Sequence, residues 1–385
     1  MKHICLIIHQ YANPVRPFAM NFVQSLAWQI RNIGYRVTVI SPIAINLSPK
    51  EIKVPSHIVE ITDKGNPIDV FYPKTLGFGQ SHLIFGRSPV GLTIAFMRKA
   101  AEKVLLSFKE RPDVLYGHFL APSGVVVAEL GKKYGIPSFI ACGEAHDTIG
   151  QYGRDKMRDV LKNVNGFICV SSALKQYLLE NGVSNSDKII VLPNGFDAAR
   201  FISLNKKKAR EKYGFPQDEI IAVFVGAFNH RKGVLRVCEA IEKANCAKLI
   251  CAGLVEQTPY GKNLLLSTHL NPDRIPELLC AADFFVLPTL AEGCCNAIVE
   301  AIACGLPVIS SDLPFNKDIL STDYSILVDP MDVNQLTAAI IKLTSDSELR
   351  TRMSLNAMKK SKELTLEERT KRIVEYINEK IKDNV

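Results

Sequence analysis

Long apolar runs are missing from this sequence. No stretch approaches the ~20 residues that a membrane-crossing helix needs. After Lys2 and His3, the run Ile4-Cys5-Leu6-Ile7-Ile8 is shorter than the ~7–15-residue core of a secretory leader, and it ends in His9, Gln10 and Tyr11. It suits a first β-strand, and the chain is expected to stay in the cytoplasm. Low-complexity tracts and internal repeats are absent, which excludes solenoids and linker-type chains. No Cys-x-x-Cys pair at zinc spacing occurs, so no metal site is expected. The ten cysteines are scattered, and Cys5, Cys142, Cys169 and Cys251 lie in apolar runs, where a reduced thiol acts as a small buried hydrophobe. No dense basic stripe with interleaved aromatics appears, which argues against nucleic acid. The net charge of +8 is mild. It suits anionic partners such as sugar nucleotides or an anionic membrane surface, and equally serves solubility.

What is present is a two-domain α/β pattern. A length of 385 residues is about right for two cores. In the first half, β-branched runs at His3–Ile8, Arg36–Ser41, Asp113–His118, Ser138–Cys142, Gly166–Ser171 and Ile189–Pro193 read as strands. Amphipathic stretches at Phe18–Ile33, Ser123–Tyr134 and Ser172–Asn181 lie between several of them. Strands that are apolar on both faces and separated by helices predict a doubly wound parallel sheet. The pattern breaks at Asn194–Asp218, with two Gly, a Pro and Lys206-Lys207-Lys208, which reads as an interdomain linker. It restarts with strands at Ile221–Ala227, Lys248–Gly253, Phe284–Thr289, Pro307–Ser311 and Ile326–Asp329 and helices at Val234–Lys243, Asn296–Cys304 and Val333–Leu343. Domains are expected at 1–195 and 196–365, with a charged last helix, about 366–385, packing back on the first. Ligands of such sheets bind at the loops after the strands.

The loop after Phe284–Thr289 is the richest in chemistry. It carries Glu292 and Gly293, and a helix begins near Asn296, holds Glu300 one turn in, and is stopped by Gly305 and Pro307. The N–H groups of Cys295, Asn296 and Ala297 at that helix start form an anion site, helped by the helix dipole. Gly293 lets the loop turn tightly and a ligand approach. By spacing alone Glu300 reads as an ordinary exposed helix residue; with the surrounding Gly, Asn, Ala-rich helix and Gly-x-Pro stop, it is placed to accept hydrogen bonds from vicinal ribose hydroxyls, and Glu292 to reach a sugar. Cys294-Cys295 is read as two small side chains beside a tight anion loop, with a redox or metal role as the alternative.

This stretch resembles the E-x7-E signature of family-4 retaining glycosyltransferases of the GT-B fold, written EGxxxxxxEAMACGxPV. Val191-Leu192-Pro193-Asn194-Gly195-Phe196-Asp197, with Phe201 just after, resembles the family's IPNGVDxxxF linker. Gly226-Ala227-Phe228-Asn229-His230-Arg231-Lys232-Gly233-Val234 resembles its GRLxxxKGV loop, and Val170-Ser171-Ser172 its VSxxL strand end. The resemblance spans roughly Asp113 to Asp329. It implies a GT-B fold, two doubly wound Rossmann-like domains facing a central cleft. It also implies transfer from a nucleoside-diphosphate sugar with retention and without a bound metal. Lys232 would contact the donor diphosphate beside Gly226, Glu292 would hold the sugar, and Glu300 would anchor the nucleotide. Ala227 stands where the family often has Arg, so Arg231 or the helix terminus would carry more of the charge.

The N-terminal half is more divergent. Asp113-Val114-Leu115-Tyr116-Gly117-His118-Phe119 resembles the family's DVIHAHF, which makes His118 the candidate there, with a structural histidine as the alternative. Ser123 reads as the N-cap of the next helix. The Gly-rich turn after the first strand is replaced by Gln10–Ala19, and Gly143-Glu144-Ala145-His146-Asp147 stands where relatives show HGxD. Gly91–Arg111 interleaves Phe96, Met97, Val104, Leu105 and Phe108 with Arg98, Lys99, Lys103, Lys109 and Arg111. It reads either as a peripheral contact with an anionic membrane or as a helix packed on its own domain. The expected acceptor is a glycan or a lipid-linked sugar. Two other readings stay open: a GT-B-fold UDP-sugar epimerase and a non-catalytic sugar-nucleotide-binding subunit.

Overall fold

The computed structural model describes residues 2–78, 89–201 and 205–383. The chain divides into two compact units, Met1–Leu192 with Thr370–Val385, and Pro193–Arg369.

The first unit is built on an eight-stranded sheet. From one edge to the other the strands are Ile189–Val191, Gly166–Cys169, Ser138–Cys142, Val114–His118, His3–Ile7, Arg36–Ile40, Pro67–Phe71 and His57–Ile61. Every neighbouring pair is parallel except the last. His3–Ile7, Val114–His118 and Ser138–Cys142 are buried along their whole length, as a sheet covered on both faces requires. The edge hairpin His57–Ile61/Pro67–Phe71 was not legible in sequence. Its outer strand is half solvated, with Val59 and Ile61 exposed, so its alternation resembles a loop. The last helix, Leu366–Lys382, puts Ile373, Val374, Tyr376 and Ile377 into this unit's core. Full burial of side chains such as Ile373 and Ile377 contributes about 1.5–3 kcal/mol each. The Tyr376 hydroxyl donates to the Lys188 carbonyl (2.7 Å), and the Asn378 amide to Tyr35 Oη (3.3 Å).

Helix Val90–Leu106 buries Ile94, Met97, Ala101 and Leu105, and Arg98 pairs with Glu129 at 3.0 Å. Two of the apolar residues singled out in sequence, Met97 and Leu105, therefore serve the core. Leu92, Phe96, Lys99, Lys103 and Leu106 recur at helical spacing on the solvent side.

The second unit has a six-stranded, all-parallel sheet in the order Leu264–Thr268, Lys248–Ala252, Ile221–Val225, Phe284–Leu287, Val308–Ser311, Ser325–Val328. The chain winds outward in one direction from Ile221–Val225 and in the other from Phe284–Leu287. The loops after these two neighbouring strands part at the switch point, where such sheets bind ligands.

The segment read as a linker is corrected by the structure. Lys206–Tyr213 is a helix of the second unit, and its Arg210 is 3% exposed. Arg210 pairs with Asp283 at 2.7 Å and donates to the carbonyls of Ala281, Gln217 and Glu219. A charge so completely hydrogen-bonded is tolerated inside, and it makes the segment part of the fold. Leu264–Thr268 is a further strand that was not anticipated; it is half-buried at a sheet edge.

Candidate active site

Strand Ile221–Val225 leads into the loop Gly226–Gly233, and strand Phe284–Leu287 into Pro288–Cys295. The strands pair directly (Ala222 with Phe284, Val223 with Phe285), so their loops adjoin. Leu290 N–H donates to the Arg231 carbonyl (2.9 Å) and the Arg236 guanidinium to the Pro288 carbonyl (2.9 Å), which lock the loops together. Gly233 has φ +83°, and a Cβ there would lie 2.9 Å from the Pro288 carbonyl oxygen. Only glycine fits that turn. Gly253, at the end of the next strand, is tighter still: its Cβ would lie 1.7 Å from the Gly226 carbonyl oxygen.

The two loops bring their charged residues to one carboxylate. Glu292 Oε1 accepts from Lys232 Nζ (2.6 Å), Arg231 Nη1 (2.7 Å) and the buried Thr289 hydroxyl (2.7 Å). No described residue donates to Oε2. The Lys232 and Glu292 side chains are only 13% and 11% exposed, so their attraction is poorly screened. Lys232 runs across Gly226, where a Cβ would meet its Cδ at 3.5 Å, and its own N–H is held by Asn229 Oδ1 (3.0 Å). Arg231 also donates to the Ala291 carbonyl at 2.6 Å. Two cations against one carboxylate leave a local excess of one positive charge.

Helix Asn296–Ala303 begins beside this cluster with Cys295 at its N-cap and no side-chain cap. Ile298 and Val299 N–H turn back to the Cys295 carbonyl, while those of Cys295 and Asn296 meet no acceptor among the described residues. Ala297 N–H points at the Cys295 sulfur, so it is partly engaged, contrary to the expectation of three free donors. Gly293 is buried where the loop bends, and it makes that bend without a left-handed φ. Lys232 Nζ lies 3.9 Å from Cys295 Sγ, and Cys294 Sγ accepts from Asn194 N–H (3.4 Å). Burial pushes the Cys294 thiol up to about 12 and raises that of Cys295. Both stay protonated and unreactive.

Glu300 is half-buried one turn into the helix, and no described residue donates to its carboxyl group. Burial pushes its pKa up to about 7, opposed by the Arg200 charge.

Sequence reasoning missed how Asn194 acts. Its amide donates to Asn296 Oδ1 (2.7 Å) and to the Cys294 carbonyl (3.4 Å), clasping the helix start from a hundred residues away. Gly195 is required because the chain crosses it: a Cβ would sit 2.8 Å from Leu366 N and Cα. Thr289, which orients Glu292, carries no signal in the sequence at all.

Two family models match this chain. Residues 205–360 match the family Glycosyl transferases group 1, and residues 19–200 match Glycosyltransferase Family 4. The chain is 26% identical over 364 residues to the putative teichuronic acid biosynthesis glycosyltransferase TuaC of Bacillus subtilis (strain 168), covering 88% of each chain. It is 30% identical over 284 residues to the UDP-Gal:alpha-D-GlcNAc-diphosphoundecaprenol alpha-1,3-galactosyltransferase of Escherichia coli, over 66% of this chain and 71% of that one. The chain belongs to the glycosyl transferases group 1 family. Sucrose-phosphate synthase from Thermosynechococcus elongatus shares its fold, with a TM-score of 0.77 at 18% identity over 98% of this chain and 99% of that one. The fold is GT-B, with two Rossmann-like units.

In the first unit of this glycosyltransferase, His118 closes strand Val114–His118 and is 4% exposed. Its ring is edge-on to Phe119 (4.9 Å) and tilted against Phe22 (5.2 Å). Phe119 holds φ +70°, a strained value for a side-chain-bearing residue, of order 1–3 kcal/mol. Glu144 pins the turn that follows: it is buried and accepts from the N–H groups of Leu120 and Gly143. Burial pushes Glu144 up to about 7, opposed by those two bonds. In the same loop, Asp147 caps helix Thr148–Tyr152 by accepting from Gly150 N–H (2.8 Å). Ser123 is not the N-cap read from sequence. Its hydroxyl accepts from His9 N–H (3.0 Å), because residues 120–124 form a wide turn ahead of helix Val125–Tyr134.

Among the described residues no three His, Cys, Asp or Glu side chains are grouped to hold a metal ion, and no helix is long and apolar enough to cross a membrane.

Proposed function

We propose that this glycosyltransferase moves a sugar, with retention of anomeric configuration, from a nucleoside-diphosphate sugar to a glycan or lipid-linked acceptor in the synthesis of a cell-surface polysaccharide or glycolipid. One observation carries the reading: Glu292 is held by Lys232, Arg231 and Thr289 through a single oxygen, beside an uncapped helix N-terminus. Oε2 remains for a sugar hydroxyl. The surplus positive charge and the free N–H groups of Cys295 and Asn296 receive the donor diphosphate. As the diphosphate binds, it competes with Glu292 for Lys232 and Arg231. The carboxylate, relieved of one partner, turns its charge toward the anomeric centre, where positive charge develops as the leaving group departs. Lys232 is then the compact cation on the leaving oxygens. Glu300 accepts the ribose hydroxyls, and His118 lies on the acceptor-binding unit. The cations and the helix terminus stand in for a metal ion, so a chelator leaves the rate unchanged.

The names of the two relatives support the substrate classes: one is named for teichuronic acid biosynthesis, the other for UDP-Gal and a diphosphoundecaprenol-linked acceptor. The outer face of helix Val90–Leu106, apolar and lysine-rich, supports peripheral contact with an anionic membrane on the cytoplasmic side. Salt-sensitive co-sedimentation with anionic liposomes tests that contact.

A thermal-shift panel of UDP, GDP, ADP and their sugar derivatives tests the donor site. One nucleotide is expected to stabilise the wild type and to lose its effect in Lys232→Ala and Glu300→Ala. Proton NMR of the first-formed product reads the anomeric configuration. An inverted product, or near-normal transfer by Glu292→Ala, defeats the proposal.

A further inference from the structure

The eight-stranded sheet of the first unit ends in a strand with one side unpaired. His57–Ile61 is the outermost strand, joined antiparallel to Pro67–Phe71 with Val59 opposite Asp69. In such a pair, residues that exchange N–H and C=O groups with the neighbour alternate with residues that turn both groups away. Tyr72 N–H donates to the Ser56 carbonyl (2.8 Å) and Thr62 N–H to the Asn66 carbonyl (2.9 Å), in the same register. Ser56, Ile58, Glu60 and Thr62 therefore bond inward. The N–H and C=O groups of His57, Val59 and Ile61 point off the edge of the sheet.

The side chains of these three residues share one face, on which Val59 and Ile61 are 55% and 54% exposed. Folded proteins guard an open edge with lysine, proline or a bulge. Residues His57–Ile61 include no lysine and no proline, and their register with Pro67–Phe71 is unbroken. The carboxylate of the strand, Glu60, lies on the other face and accepts from the Tyr11 hydroxyl (2.9 Å) and the Gln24 amide. His57 stacks on Phe71 (4.4 Å) and pairs with Asp69 (2.9 Å). Both charged groups are thus engaged within their own unit. The opposite edge of the sheet, Ile189–Val191, is three residues long and has the last helix beside it, where Tyr376 Oη donates to the Lys188 carbonyl.

We propose that His57–Ile61 pairs with the same strand of a second copy of this chain, antiparallel about a two-fold axis at Val59, joining the two sheets edge to edge. The register follows from which groups point outward. With the axis at Val59, all three outward residues meet outward residues: Val59 faces Val59 of the second copy, and His57 faces Ile61 in both directions. Each pair exchanges two N–H···O bonds. A shift toward the start of the strand sets Ile61 or Val59 against Pro55, which has no N–H to give. A shift the other way sets His57 or Val59 against Asp63, in the turn that Thr62 and Asn66 close. At Val59 the apolar side chains of both copies form one patch, and Glu60 faces Ile58, so no like charges oppose. A two-fold contact of this kind is self-complementary and closes at two copies. It is independent of the donor chemistry, which the second unit carries.

Sedimentation velocity of the full chain between about 1 and 100 µM tests it. Three residue pairs and a small apolar patch fall short of the ~1,200 Å² of a lasting interface, so a dimer that dissociates in the micromolar range is expected. Val59→Pro removes an N–H that the fold does not use, at an edge position that accepts proline. Val59→Lys sets two like charges on the axis. Each should raise the dimer Kd at least tenfold, while Val59→Thr keeps the dimer. Circular dichroism and Tm should match the wild type in all three. If Val59→Pro loses the native spectrum, Val59→Lys decides. Val59→Cys should cross-link one copy to the other under mild oxidation, because a hydrogen-bonded pair holds its Cα atoms ~5.5 Å apart, within the span of a disulfide. A chain that stays monomeric at about 100 µM overturns the proposal and leaves the edge to a strand of another protein. A dimer that survives both Val59→Pro and Val59→Lys, or that Val59→Cys fails to cross-link, overturns it as well.

Discussion

Glu300 offers the sharpest test of the donor site, because its burial and its proposed role pull on its proton in opposite directions. The unliganded protein keeps its pKa near 7 by burial. Accepting two ribose hydroxyls requires the ionised form. For a group titrating near 7, the ionised fraction falls from about 90% at pH 8 to about 10% at pH 6. Nucleotide affinity should therefore fall about tenfold over that interval, or ~1.4 kcal/mol. The effect on folding has the opposite sign. A carboxyl whose pKa is raised in the folded state favours folding when protonated, and that contribution is lost as pH rises from the unfolded value near 4.5 through about 7. Glu300→Gln should thus be at least as stable as the wild type at pH 8, yet bind nucleotide more weakly by ~1.5–3 kcal/mol, the worth of hydrogen bonds to a charged group. Calorimetric titration with the selected nucleoside diphosphate at pH 6, 7 and 8 reads both. The nucleotide's own phosphate titrates near 6, but it does so equally in both proteins, so the difference between the two profiles isolates Glu300. Parallel profiles, or equal affinities at pH 8, would refute the role.

Three further outcomes follow from the packing. Lys232→Ala should lower kcat/KM by about 10²–10³, the usual cost of one preorganised charge partner, while circular dichroism stays native because Arg231 and Thr289 still hold Glu292. Gly253→Ala drives a methyl into the Gly226 carbonyl. At ~3 kcal/mol or more it should lower Tm by roughly 6–12 °C and take nucleotide binding with it; an unchanged Tm would show that the two loops do not cross as described. Arg210→Ala takes from Asp283 Oδ2 its guanidinium partner (2.7 Å), leaving Lys206 and the Ile221 N–H on that carboxylate, and removes the donor to the Ala281, Gln217 and Glu219 carbonyls. Urea unfolding should show a loss of about 1.5–3 kcal/mol.

Much of the fold is legible locally. Gly166–Cys169 and Phe284–Leu287 are apolar throughout because both faces of a parallel sheet are covered, and that leaves a continuous run in the sequence. The half-solvated edge strands His57–Ile61 and Leu264–Thr268 escape notice for the complementary reason. Lys206-Lys207-Lys208 looks like linker because three charges mask Arg210, the buried residue that ties the segment down.

The site divides in the same way. Residue type and spacing alone determined that Glu292, Asn296 and Glu300 share a loop and the helix it enters, since i to i+4 spacing along a helix is a local property. They also determined that a Lys-Gly turn follows another strand. Only the tertiary structure decided that these two strands are neighbours, and hence that Lys232 and Arg231 converge on one oxygen of Glu292. It alone set Asn194 on Asn296 and laid Gly253 under Gly226. Contacts of this kind join residues far apart in the chain. They depend on strand order and close packing, which no local pattern of residues encodes.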